Sequence, residues 1–284
     1  MREKMLRSIL ILVLLSAVEP LPGADKSDKP VFDLQAHRGG KTLDPPGNIL
    51  PAFKKAMELG VTTLELDTHI TREGEIIILH DPGVLEKAVK KPPQTHGYRI
   101  SDHTLGEIKQ YVIATRDGKP ATIPTLEEFF LFLKTYPNKA TIPPTNRKRA
   151  KRIRLNIETK QEGYENKLVA LIRRHGLEER TTIQSFKMAS IVKVRHLSKL
   201  IRTSALTQSI EEAVAAQADY WSPEYKELDA ARIRKAHALG MRVIPWTCNN
   251  RKDMLRLIGF GVDGIITDNP PILIELLKQA GHRF

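Results

Sequence analysis

The chain has 284 residues, 41% of them hydrophobic and 27% charged, with no long polar tract; this excludes a largely disordered protein and allows one large core. A formal net charge of +12 favours anionic partners, whether phosphates, acidic lipid head groups or nucleic acid, without choosing among them. The single cysteine, Cys248, rules out an intramolecular disulfide, so stability rests on packing.

The N-terminus has the form of an export signal. Arg2, Lys4 and Arg7 precede an apolar stretch, Ser8–Val18, that is short for a membrane span and is broken by Pro20 and Pro22. Residues 1–24 are read as a signal peptide, or an anchor if uncleaved, and the mature chain as exported, periplasmic or secreted. Val31–Ala36 then reads as a strand that hands His37 and Arg38 to the turn-forming Gly39 and Gly40, a suitable arrangement for an anion site. Asn48 is expected to cap a helix ending at Gly60.

The runs "TTLELDTHIT" (62–71) and "EIIILHD" (75–81) follow with only a tight turn between them, so they are expected to pair as an antiparallel hairpin. A two-residue Glu73–Gly74 loop would set Asp67 directly opposite His80. Six of the eight residues Arg147–Arg154 are basic; the run reads as a solvated loop or, more sharply, as a patch for an anionic membrane surface. No aromatic residues are interleaved there for nucleic-acid stacking. Helical patterns at 125–135, 165–175, 187–197, 210–217, 229–239 and 251–258 alternate with β-like runs at 154–160, 181–186, 200–206, 219–225, 242–247 and 263–268. That alternation implies a parallel sheet closed as a (β/α)8 TIM barrel, the hairpin partner 75–81 being the one strand too many.

Glu65 and Asp67 lie on one face of their strand, and Glu158 sits similarly in "RLNIETK", two residues before Lys160. Each carboxylate taken singly could as well pair with Arg38, Arg154 or Lys160. As a triplet at the mouth of a barrel they would repel one another unless a cation lay among them, and hard oxygen donors suit Ca2+ or Mg2+. His37 and His80 can exchange protons near neutral pH, and Arg38 can hold a phosphate through two nitrogens. A metal, an arginine and two histidines in one pocket make a phosphoryl-transfer site.

The stretch "AHRGG…GN…PAFKKAMELGVTTLELDTHITREGEIIILHD" closely resembles the N-terminal signature of the glycerophosphodiester phosphodiesterase family, and "IPTLEEFF", "LNIETK", "QSF", "VIPWT" and "GVDGIITDNP" follow in the family's order. The likeness spans roughly residues 33–273, within a barrel placed at 31–280. It implies a TIM barrel with a small insertion at about 82–120, His37 and His80 as general acid and base, and Glu65, Asp67 and Glu158 as ligands of one divalent cation, Ca2+ or Mg2+. It also implies phosphate binding by Arg38, with Lys160 close by, and a glycerol pocket lined by Trp246. One segment departs from the family's Pro-Glu-Asn-Thr: here "PPGNI" sets Gly47 and Ile49 in place of the glutamate and threonine, which bears on substrate preference more than on the reaction.

The expected activity is metal-dependent hydrolysis of small glycerophosphodiesters to sn-glycerol 3-phosphate and an alcohol. Two alternatives are a lysophospholipase D or phospholipase C-like enzyme acting at a membrane surface, and a non-catalytic phosphodiester-binding protein. Neither the alcohol nor the oligomeric state is legible in the residues.

Overall fold

The computed structural model describes residues 31–82, 88, 90, 99–136 and 151–284. The expected leader, 1–24, and the part of the basic run at 147–150 lie outside the described residues.

The described chain runs β1 (Asp33–Ala36), α1 (Leu50–Leu59), β2 (Thr63–Ile70), β3 (Ile76–Ile78), α2 (Leu105–Ile108), β4 (Val112–Ala114), β5 (Pro120–Thr122), α3 (Leu126–Thr135) and β6 (Arg154–Thr159). It continues through α4 (Glu165–Arg174), β7 (Thr181–Ser185), α5 (Met188–Leu197), β8 (Arg202–Ala205), α6 (Ile210–Ala215), β9 (Tyr220–Trp221), α7 (Ala230–Ala238), β10 (Arg242–Val243), α8 (Arg251–Phe260), β11 (Gly264–Thr267) and α9 (Pro270–Gln279). Eight of these strands are parallel neighbours in the order β10-β9-β8-β7-β6-β2-β1-β11. The two ends of that row meet through backbone bonds from Asp263 N to Val243 O (2.9 Å), Ile266 N to Pro245 O (3.0 Å) and Cys248 N to Ile266 O (3.0 Å), so the ring is nearly closed, as the alternating pattern implied.

Strand alternation separates the two sides of the wall. Leu34, Leu64, Leu66, Leu155, Ile157 and Ile183 face outward and pack with Phe53, Phe129, Leu168, Ile191 and Leu257 of the surrounding helices. Each fully buried Leu or Ile contributes about 1.5–3 kcal/mol by leaving water. Many inward positions are polar: Asn156 Nδ2 donates to Gln35 Oε1 (2.7 Å) and to Gln184 Oε1 (2.9 Å), tying three strands together inside the barrel. Several helix starts are fixed by side-chain caps. Thr125 and Glu128 satisfy each other's backbone N–H groups at α3, and Asn250 accepts from Asp253 N at α8.

Four expectations need correction. Asn48 does not cap α1: it has a φ of +57°, the cap position falls to Ile49 without a side-chain bond, and Pro51 in the first turn has no N–H to satisfy. The hairpin of β2 and β3 is antiparallel as expected, but one residue out of the expected register. His69 pairs with Ile77, and Leu79 N donates to Asp67 O, because the loop holds Arg72, Glu73 and Gly74 between a Thr71–Glu75 pair. Helix α9, absent from the sequence reading, begins with Pro270 and Pro271, which suit a first turn and read poorly as helix formers.

Arg154, which the sequence reading placed both in the surface basic run and at the start of the strand 154–160, belongs to the strand alone: it opens β6 and pairs with Asp33 at 2.9 Å, while Lys151 and Arg152 are exposed. Between β3 and α3, α2 and the β4–β5 hairpin bring Ile100, Ile108, Tyr111 and Ile113 onto Ile49, Ile77 and Leu79 in a second apolar cluster. Among the described residues no helix is long and apolar enough to cross a membrane.

Candidate active site

The site lies at the C-terminal ends of the barrel strands. Immediately after β1 the chain makes a tight turn over His37–Gly39 with Arg38 at φ +53°. Two glycines are required around it. A Cβ on Gly39 (φ +78°) would come within 2.8 Å of the Phe53 ring, and one on Gly47 (φ +81°) within 2.7 Å of the Arg38 carbonyl oxygen. The loop that departs from the family pattern is thus pressed against the Arg38 backbone, where a glutamate side chain has no room. Ile49, in place of the family's threonine, is fully buried in the second apolar cluster. Asn48 N donates to Arg38 O at 2.9 Å, and its Nδ2 reaches Asp67 Oδ2 at 2.8 Å.

The parallel register of β2 and β6 sets Asp67 directly beside Glu158 and Glu65 beside Asn156. Glu65, Asp67 and Glu158 are all buried, and each offers an oxygen within 4.8 Å of the others. Glu65 accepts from Arg38 N (2.8 Å) and from Gln184 Nε2 (2.9 Å). Asp67 lies 3.3 Å from Arg38 Nε and 3.0 Å from Lys160 Nζ, and Lys160 also donates to Glu158 Oε1 at 2.7 Å. Three carboxylates against two cations leave the cluster one negative charge in excess. Burial, then the neighbouring carboxylates Asp67 and Glu158, push the Glu65 pKa well above the ordinary carboxylate range. Burial and then Asp67 likewise raise Glu158. Burial works the same way on Asp67, but the Lys160 and Arg38 charges outweigh it and hold its pKa low. The all-oxygen donor set, its burial and its excess charge fit a hard divalent cation.

Both histidines are held by carboxylates through Nδ1. His37 meets Asp268 Oδ1 at 2.7 Å, and Asp268 is fixed in turn by Asn249 Nδ2 at 2.7 Å. His80 meets Asp81 Oδ1 at 2.8 Å. Partial burial, outweighing the pull of Asp67 and Asp81, lowers the His80 pKa. His69 is buried, its Nε2 at 3.1 Å from the His80 backbone oxygen, where it steadies that segment.

A cleft of about 150 Å3 joins these groups. His37, Arg38, Glu65, His80, Glu158 and Lys160 line its polar side, and Phe186, Leu206, Trp246 and Ile266 the apolar side, with the Phe186 and Trp246 rings edge to face at 5.3 Å. Asp67 is buried and does not line it. All eight residues singled out from the sequence therefore gather here. Asn48, Gln184, Asn249 and Asp268 were missed as site residues. Gln184 stands beside Glu158 across the ladder, a pairing of strands that the sequence alone does not show. Asn249 and Asp268 come together only through the contact of two βα loops, which no short motif encodes.

A profile of the Glycerophosphoryl diester phosphodiesterase family matches residues 37–272. A glycerophosphodiester phosphodiesterase of Caldanaerobacter subterraneus subsp. tengcongensis is 31% identical, covering 87% of this chain and 98% of its own. The crystal structure of a protein described as a glycerophosphoryl diester phosphodiesterase from Silicibacter pomeroyi superposes with a TM-score of 0.77 at 23% identity, covering 89% of this chain and 95% of that one. A phosphodiesterase of Oleispira antarctica, solved in complex with the product sn-glycerol-3-phosphate, gives 0.72 at 21% identity, covering 87% and 97%. The chain belongs to the glycerophosphoryl diester phosphodiesterase family.

Proposed function

We propose that this enzyme, a phosphoric diester hydrolase by family, cleaves small glycerophosphodiesters to sn-glycerol 3-phosphate and an alcohol, using one divalent cation and the His37–His80 pair. The observation that carries the reading is the convergence of three buried carboxylates, two carboxylate-held histidines and Arg38 on one cleft. The product seen in the Oleispira antarctica relative supports the substrate class. The same comparisons do not favour the membrane-lipid alternatives, and the 31% identical relative bears the name of the catalyst rather than of a binding protein.

Glu65, Asp67 and Glu158 would hold the cation, Ca2+ or Mg2+, which when bound offsets phosphate charge and lowers the pKa of a hydroxyl nearby. Arg38 keeps Nε on Asp67 and has no hydrogen bond at its two terminal nitrogens among the described residues, so these can take two phosphate oxygens. Lys160 adds a second positive charge on the same wall. His80, its pKa lowered, is neutral at physiological pH and accepts the proton of the attacking hydroxyl. His37, oriented through Nδ1 by the Asp268 carboxylate, donates to the leaving oxygen. Trp246 and Phe186 shield the organic part of the diester from water.

The test is release of glycerol 3-phosphate from glycerophosphocholine with Ca2+, Mg2+ or chelator, with His80→Ala as control. Turnover abolished by chelator and by the substitution is the expected result. Absence of turnover with either metal would overturn the small-diester reading, and lysophospholipid vesicles would then be the substrate to try.

A further inference from the structure

A barrel of this type fills its interior with layers of four side chains drawn from alternate strands, ordinarily apolar ones. Around this ring the alternate set β1, β6, β8 and β10 begins with Asp33, Arg154, Arg202 and Arg242. All four stand at the N-terminal ends of their strands, away from the cleft that holds His37 and His80. They converge: Arg154 pairs with Asp33 at 2.9 Å, the Arg242 guanidinium lies 5.6 Å from the centre of the Tyr220 ring, and the Tyr220 hydroxyl experiences the charges of Arg202, Arg242, Asp33 and Arg154 together. The floor of the barrel is thus three arginines and one aspartate.

This floor opens into a cavity of about 460 Å3, to which α5 adds a fourth guanidinium, Arg195. Asp219 is the only carboxylate that lines the cavity among the described residues. The nearby carboxylates do not use up the arginines. Asp33 serves Arg154, Asp263 lies 3.5 Å from Arg242, and Asp219 holds Arg195 at 2.8 Å while Arg195 Nε stays buried without a hydrogen bond. Arg202 makes no hydrogen bond or ion pair with a carboxylate among the described residues and is exposed to the cavity. A buried donor without an acceptor and a guanidinium without a counter-ion both favour an anion.

We propose that this cavity is a second anion site, taking a phosphate group, free or as a monoester, at the end of the barrel remote from the catalytic cleft. Guanidinium forks approaching from separate strands and from α5 suit a tetrahedral oxyanion, which offers acceptors in several directions, better than a planar carboxylate, which offers them in one plane. The test is calorimetric titration of the full chain with inorganic phosphate and, separately, glycerol 3-phosphate, at low ionic strength. Wild type is compared with Arg202→Ala and Arg202→Gln, and kcat/KM and inhibition by phosphate are measured in parallel. The expected result is a phosphate site weakened at least tenfold in both variants, with turnover and its inhibition by phosphate unchanged. Equal affinity for the two titrants means the phosphate group alone is read; tighter binding of glycerol 3-phosphate means a monoester is. Binding identical in all three proteins, no binding beyond that at the catalytic cleft, or a loss that follows turnover would overturn the proposal.

Discussion

The two ends of the barrel are built from the same strands with opposite charge. Strand β6 enters at Arg154, beside Asp33, and leaves at Glu158, beside Asp67. At the lower end guanidiniums outnumber the carboxylates around them; at the upper end three buried carboxylates face only Arg38 and Lys160. The middle is bridged by neutral amides: Asn156 donates to Gln35 and Gln184, Gln35 donates down to Asp33, and Gln184 donates up to Glu65. A wall that is largely apolar outside can therefore carry charges of both signs inside, with amides bonding the two charged layers to each other. Only the upper end adds titratable groups that can move a proton, and the chemistry is expected there alone.

Substitutions can break that contrast. His80→Ala, removing the proton acceptor, is expected to lower kcat by about 10³-fold, within the range of general acid–base contributions; an assay of glycerol 3-phosphate release reads it. Asp268→Asn keeps the shape but removes the carboxylate that orients His37 through Nδ1, and about 10²-fold in kcat is expected, with Asn249→Ala costing less because it only orients Asp268.

Cation affinity sharpens the comparison through pH. Glu65 and Glu158 have raised pKa values in the cation-free protein, Glu158 up to about 7, so as pH falls they take up protons that a cation must displace. Affinity for Ca2+ is expected to rise with pH, by about tenfold per unit where one proton is released, and to level off once both groups ionise. The cation-free protein should in turn lose stability as pH climbs through that range, since the unfolded carboxylates ionise at no such cost, and Ca2+ should restore it. A pH-independent affinity would show that the carboxylates do not hold the cation.

Gly47→Glu, which restores the family's side chain, is expected to cost about 1–3 kcal/mol and to lower activity, because φ +81° and the Arg38 carbonyl leave a Cβ no place; thermal unfolding checks it. A variant as stable and as active as wild type would mean the loop has an alternative seat. Smallest of all is Arg202→Ala at the floor, expected to leave turnover within twofold.

How much of this could be read from residues alone follows from the range of each interaction. The alternation of strands and helices and the acids Glu65, Asp67 and Glu158 are written in local patterns, and the parallel pairing of β2 with β6 only sets them side by side. The register of the β2–β3 hairpin was missed because it turns on one residue of loop length, which "TREGE" leaves ambiguous. Asn48 looked like a helix cap because residue type favours it. Its role as a donor to Asp67 depends on a left-handed backbone that the packing of Gly47 on Arg38 imposes. Asp268 was passed over because its partner is 231 residues away. The arginine floor was hidden for a related reason: its members are first residues of strands far apart in sequence, and one of them, Arg154, sat inside a basic run that seemed to explain it.

The most direct test of the central claim is calorimetric titration of Ca2+ into cation-free wild type and Glu65→Gln protein in two buffers of different ionisation enthalpy. The account requires one site per chain in wild type, with protons released on binding, and a large loss of affinity in the variant. Equal binding by the two proteins, or no binding of Ca2+ or Mg2+ by wild type, would contradict it.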